Sequence, residues 1–314
     1  MPWQARAVPS LRHQALARVV PRLRGVAPLE SARAERAKVL ELQAAADPAL
    51  PTSAVRHFEA RYEATTAEAP FPVHVVRPRG RRPRTTVYYL HGGAYVAPAD
   101  PLHLRYAVRL AGELDAEVVL PDYPLAPRHD WRASHHLLLH DLAERCATQD
   151  RVVLVGDSAG GGLALALAQS LRDQGGAGAS QLVLLSPWVD LTTSTPATYD
   201  LDGRDPWLSI DKLELYAEWW AGTPSDLARP EVSPALGDLA GLPPTLMLCG
   251  TRDLLVPGCR LLADRAAALP QDPDDPADGW DLTYLEAPDL IHVFALMPIP
   301  EAETAWRYTT DFLR

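Results

Sequence analysis

Cysteine is scarce in this chain. Cys146, Cys249 and Cys259 are the three among 314 residues, an odd number with neither a C-x-x-C pair nor a Cys/His ligand spacing, which excludes a disulfide framework and a zinc-binding motif. Lysine is scarcer, with two residues against 28 arginines, a bias that reads as coding composition and carries no mechanism. Acidic residues outnumber basic ones 40 to 30, and the net charge of −10 argues against nucleic acid as a partner, which would require a basic footprint. A neutral or cationic small molecule fits that charge better than a polyanion. No run approaches the ~20 apolar residues a bilayer span needs. The first 27 residues carry Arg6, Arg12, Arg18, Arg22 and Arg24 without the apolar core of a signal peptide. They predict a solvated helix face, no stable membrane insertion and a cytoplasmic location.

What the chain does have is the composition of a soluble globular protein, 47% apolar and 22% charged, at a length that suits one large α/β domain or two smaller ones. Residues 1–50 read as helices, and 57–62, 71–77 and 85–90 as leading strands. Helix and strand patterns then alternate: helix 102–114, strand 117–120, helix 132–147, strand 151–155, helix 160–173, strand 181–185. This predicts a doubly wound, mostly parallel sheet with helices on both faces. The rhythm breaks between 190 and 234, where one helix is expected at 210–221. It resumes with strand 245–249, helix 258–268, strand 281–285 and a last helix at 300–313. The acidic, proline-broken run 271–279 predicts a solvated loop rather than a metal site.

Gly156-Asp157-Ser158-Ala159-Gly160 follows the apolar run 151–155 and opens into a helix-forming stretch. This strand, G-x-S-x-G turn, helix order is the pattern of a nucleophile elbow, with small residues flanking a serine on a sharp turn. A phosphate cradle is the rival reading, but no Lys-Ser/Thr follows, and Asp157 and Ser158 fill the space of the second glycine in G-x-G-x-x-G. A serine nucleophile needs a base, a carboxylate to hold the base and donors for an oxyanion. Asp253, after the strand 245–249, stands where the orienting acid belongs, although it could equally cap the next helix. His292, in the loop after the strand 281–285, is the one of ten histidines in the slot of a general base. His13 and His57 lie early in the chain, and His135, His136 and His140 on a predicted helix. His91-Gly92-Gly93, after the strand 85–90, supplies the backbone donors Gly92 and Gly93, with Ala159 completing the set.

Taken together, Leu90-His91-Gly92-Gly93-Ala94, Gly156-Asp157-Ser158-Ala159-Gly160-Gly161, Gly250-Thr251-Arg252-Asp253 and Ile291-His292-Val293-Phe294 resemble the hormone-sensitive-lipase-like family of α/β-hydrolases. Asp122-Tyr123-Pro124-Leu125-Ala126-Pro127 and Ser186-Pro187-Trp188-Val189-Asp190-Leu191-Thr192 extend the match. The resemblance implies an α/β-hydrolase fold with an eight-stranded sheet. It also implies a helical cap from about 1–50 and 191–233 over a catalytic core of about 55–190 and 234–314. It implies Ser158 as nucleophile, His292 as base, Asp253 as its orienter, and hydrolysis of short- to medium-chain carboxylic esters with no cofactor and no metal. An edge-strand homodimer is a further expectation by resemblance. A non-catalytic small-molecule receptor of the same fold and an amidase or peptidase using the same three residues are the alternatives.

Several positions depart from the family pattern. Arg128 replaces a glutamate, His129-Asp130-Trp131 replaces H-P-F, and no second aspartate follows Asp253. Ala94 stands for a third loop glycine, with its N–H retained. For the substrate pocket the candidates are Tyr95, Asp157, Trp188, Tyr216 and Trp220, the aromatics among them reading equally as pocket wall or as cap core.

Overall fold

A computed structural model describes residues 8–68, 70–270 and 278–314, so most of the 271–279 run lies outside the described residues. Eight strands form one sheet: β1 (Tyr62–Ala67), β2 (Val73–Pro78), β3 (Thr85–Leu90), β4 (Glu117–Pro121), β5 (Arg151–Asp157), β6 (Gln181–Leu185), β7 (Thr245–Gly250) and β8 (Leu282–Ala287). Their spatial order is β1-β2-β4-β3-β5-β6-β7-β8. β2 runs antiparallel to both β1 and β4, and every later pairing is parallel. The central strands are nearly continuous apolar runs because helices cover both faces. Side-chain alternation divides them between two cores. Tyr88, Leu90, Leu154, Leu184 and Met247 point to one, and Val87, Tyr89, Val153, Val155 and Leu248 to the other.

Nine helices accompany the sheet among the described residues: α1 (Leu11–Leu23), α2 (Ala32–Ala45), α3 (Phe58–Arg61), α4 (Pro101–Leu114), α5 (Trp131–Thr148), α6 (Ser158–Asp173), α7 (Ile210–Ala221), α8 (Val256–Ala267) and α9 (Pro300–Leu313). α4 starts at Asp100, whose side chain accepts the Leu102 N–H while the His103 ring reaches back to the Asp100 N–H, with Pro101 in the first turn. α5 is capped by Asp130, whose side chain accepts the Arg132 N–H at 3.0 Å. One strand expectation is corrected. The run 57–62 is not extended, since His57 is left-handed at φ 57° and leads into the single turn α3, so β1 begins only at Tyr62. Phe58 and Tyr62, both buried, mimic strand alternation while sitting one helical turn apart.

The N-terminal helices and the insertion after β6 meet near the carboxyl ends of the strands. From α2, Gln43 donates to the Val96 and Ala126 carbonyls at 2.8 and 2.7 Å. Glu35, also on α2, receives the Tyr216 hydroxyl and faces Lys212 of α7 at 3.5 Å. α7 turns Leu213, Ala217 and Trp220 into the core at helical spacing. No helix among the described residues is long and apolar enough to cross a membrane.

Candidate active site

Ser158 sits at the junction of β5 and α6 with φ 52°, a left-handed conformation that a serine adopts only when its surroundings impose it. Those surroundings are backbone. A Cβ on Gly156 would lie 2.3 Å from the Gly160 carbonyl, and one on Gly160 would lie 2.1 Å from that of Leu90. Only hydrogen fits at either place, which explains the glycines two residues to each side of the serine.

The acid and the imidazole are brought together by two laced loops. Thr251 N–H donates to the Ala287 carbonyl at 2.9 Å, Arg252 N–H to that of Leu290 at 3.1 Å, and Asp289 N–H to Thr251 Oγ1 at 2.9 Å. Ile291 N–H donates to His13 Nε2 at 3.2 Å, and Val293 N–H to Ser186 Oγ at 3.1 Å. His292 is held between them. Its Nδ1 lies 2.9 Å from Asp253 Oδ2 and its Nε2 2.9 Å from Ser158 Oγ. Asp253 is wholly buried and accepts the Leu255 N–H at 2.9 Å on Oδ1. The Cys249 thiol lies 3.6 Å from its Oδ2. Burial alone would lower the pKa of His292. The charge and hydrogen bond of Asp253, with Asp205 and Asp157 behind it, outweigh burial and hold it above the ordinary value of 6.5. The arrangement can pass a proton from a serine hydroxyl to an imidazole whose cation is already compensated.

Across from this lies the His91–Tyr95 loop. Gly93 has φ 117°, and Ala94 and Tyr95 are left-handed at 53° and 61°. The His91 ring stacks on Tyr123 at 4.5 Å, the Tyr123 hydroxyl donates to the His91 carbonyl at 2.7 Å, and burial lowers the imidazole pKa to about 4. His91 is therefore a neutral packing element of the loop. The expectation for Gly92 is corrected, because its N–H donates to Asp157 Oδ1 at 3.2 Å and so faces the protein. Among the described residues the N–H groups of Gly93 and Ala94 have no internal acceptor. Ala159 is the second residue of α6, where helical N–H groups have none either.

Asp157 is corrected as well. Its Oδ1 also takes the Tyr89 hydroxyl at 2.7 Å, and its Oδ2 faces His103 Nε2 at 3.3 Å. Burial opposes its ionisation, but His103 overrides this and keeps the carboxyl below its ordinary range. With its oxygens engaged internally, Asp157 ties the His91–Tyr95 loop to β3 and α4 and has no face for a substrate. Of the aromatic candidates, Tyr95 and Trp220 stack on each other at 4.1 Å and 7° and are fully enclosed. Tyr216 is half-buried and bonded to Glu35. Those three are packing residues. Trp188 borders a cavity of about 20 Å³ with Val189, Ile210, Leu213 and Leu254, room for one water-sized molecule. Arg128 is exposed and makes no ion pair among the described residues.

Three contributors were not readable from the sequence. His13 of α1 accepts the amide beside His292, which requires the neutral imidazole that burial favours by lowering its pKa. His103 of α4 compensates Asp157. Trp207, in the insertion, sets its ring edge-on to His292 at 5.6 Å and 77°. Only the Asp100, His103 capping pair had a local signal, its i, i+3 spacing.

Comparison with known proteins finds relatives of this fold. A family model described as alpha/beta hydrolase fold matches residues 87–296. An acetyl-hydrolase of Streptomyces hygroscopicus is 33% identical over 249 residues, covering 76% of this chain and 78% of that one. An esterase of Acinetobacter venetianus is 30% identical over 184 residues, and the match spans 57% of this chain and 60% of that protein. Among solved structures, an esterase from the bacterial hormone-sensitive lipase family superposes with a TM-score of 0.75 at 25% identity, covering 98% of both chains. A hormone-sensitive lipase from a metagenome library gives 0.75 at 26% identity over 96% of this chain and 95% of that one. The chain belongs to the α/β-hydrolase family, in its hormone-sensitive-lipase-like group, and is an enzyme of that family.

Proposed function

We propose that this chain is a serine carboxylester hydrolase working through an acyl-enzyme on short- to medium-chain acyl esters. The observation that carries this reading is the continuous hydrogen-bonded chain from Asp253 through His292 to Ser158, with both links at 2.9 Å and the serine at a left-handed elbow. Ser158 Oγ attacks the ester carbonyl as its proton passes to His292 Nε2. The oxyanion receives N–H groups of Gly93, Ala94 and Ala159. Collapse returns the proton to the leaving alcohol, and water repeats the sequence on the acyl-serine. The N-terminal helices and the 191–233 insertion act as a cap over this centre. The relatives named acetyl-hydrolase and esterase support the chemistry and the small acyl group. A hydrogen-bonded base favours turnover over a receptor that only binds.

Ser158→Ala abolishes hydrolysis of p-nitrophenyl esters while circular dichroism stays that of the parent protein. Full turnover in that variant sinks the assignment. A chain-length series from acetate to octanoate measures pocket depth, and matched amides separate esterase from amidase action.

A further inference from the structure

Asp205 lies in the turn before α7, and although it belongs to the insertion its side chain is buried at 6% exposure. Its Oδ1 accepts the N–H groups of Trp207 at 2.8 Å and Leu208 at 3.2 Å, closing the turn on itself. Its Oδ2 reaches the catalytic core and accepts the Leu254 N–H at 2.9 Å. The next amide, that of Leu255, goes to Asp253. Two carboxylates, one from the insertion and one from the end of β7, thus hang on consecutive N–H groups. The same turn carries Trp207 against His292, and the Arg24 guanidinium lies 4.5 Å over the Trp207 ring. A second tie runs from Arg252 Nε to the Arg204 carbonyl at 2.8 Å.

A turn of this shape does not need an acid. Asparagine or serine would take local N–H donors without placing a second carboxylate beside buried Asp253, where like charges oppose each other. Burial and Asp253 push the Asp205 pKa up to about 6, against the pull of His292. Three N–H donors and the neighbouring imidazole offset that cost.

We propose that Asp205 is a positioning residue for the His292–Asp253 pair. Its carboxylate clamps the insertion turn onto the Leu254 amide, holds Trp207 against the imidazole edge, and sets a second negative charge behind a ring that must become a cation. This rests on the serine-hydrolase reading above. The titratable and charged groups around Asp205 are Asp253 from the β7 end and His292 from the loop after β8. Arg204 and Arg252 flank the turn, and Arg24 lies beyond Trp207.

The test compares the parent protein with Asp205→Asn and Asp205→Glu, reading p-nitrophenyl acetate kinetics across pH, thermal unfolding, and the His292 imidazole titration by NMR. Loss of the negative charge lowers the His292 pKa. Asp205→Asn is therefore expected to cut kcat about tenfold with KM little changed, and to move the acid limb of kcat/KM down by about half a pH unit. Asp205→Glu keeps the limb in place. Activity that falls only in proportion to folded protein, or a limb that does not move, overturns the proposal. Should the parent protein hydrolyse no ester, the activity reading fails by itself. The NMR titration then decides the role of Asp205, and an unmoved His292 titration in folded Asp205→Asn overturns it. If Asp205→Asn does not fold, the parent protein supplies the check, since the Asp205 carboxyl and His292 imidazole resonances must each show the other's inflection. Independent titrations refute the coupling.

Discussion

The serine side of the site and the histidine side are held by different forces. Around Ser158 the constraint is volume: the Gly156 and Gly160 positions touch main chain at distances where one carbon would collide, and the left-handed serine is kept by that crowding. Around His292 the constraint is charge. Asp253 and Asp205, both buried, and an imidazole held above its usual pKa are arranged on amides and on each other. The contrast teaches that the supports of the two sides should fail in different ways, the glycines beside Ser158 through folding and the carboxylates beside His292 through rate.

Among the residues that support Ser158 and His292, the largest effect expected is on the histidine side. Asp253→Asn keeps the shape and removes the charge, so kcat should fall about 10³- to 10⁴-fold while the unfolding midpoint moves little. Steady-state kinetics alongside thermal melts check this, and a rate within tenfold of the parent would break the contrast. Next comes the serine side. Gly160→Ala forces a carbon into the Leu90 and His91 carbonyls and should cost about 3 kcal/mol of stability in urea unfolding, with ester turnover lost as well. A variant as stable as the parent would show that volume is not the constraint there.

The smallest effect is a shift of pH dependence. The base must be neutral to accept the serine proton, and its pKa is raised above 6.5. The acid limb of kcat/KM should therefore lie above that value, with activity rising as pH climbs through it. Stability runs the other way. A histidine whose pKa is raised by folding contributes stability that is complete below 6.5 and fades as pH rises through the folded value. Opposed slopes of activity and stability through neutral pH sharpen the assignment to His292, and an acid limb below 6.5 contradicts it.

Most of the serine side was legible because it is local. An apolar strand, a five-residue turn and a helix are contiguous, so β5, Ser158 and α6 were read within a few residues of their bounds. Asp253 and His292 were legible for the same reason, each lying just beyond a recognisable strand. Gly92 was read as a donor facing a substrate, but its N–H is taken by Asp157, a side chain from another strand that no local pattern reveals. Three of the aromatic pocket candidates, Tyr95, Tyr216 and Trp220, are packing residues on similar grounds. Tyr95 and Trp220 are 125 residues apart in sequence, and only packing reveals that they stack on each other. The turn at His57 misled because alternation over six residues fits one helical turn as well as a strand.

What the sequence alone determined was periodic and contiguous: the strand and helix alternation, the glycines of the elbow, and the chain order of serine, acid and histidine. What the tertiary structure decided was every choice made by burial between distant segments. Asp205 rather than another acid accepts the Leu254 amide beside Asp253, His13 supports the His292 loop, and His103 compensates Asp157. The physical reason is that a buried charge or amide must find a partner wherever the fold provides one. Such partners follow from three-dimensional proximity, for which the chain carries no local pattern.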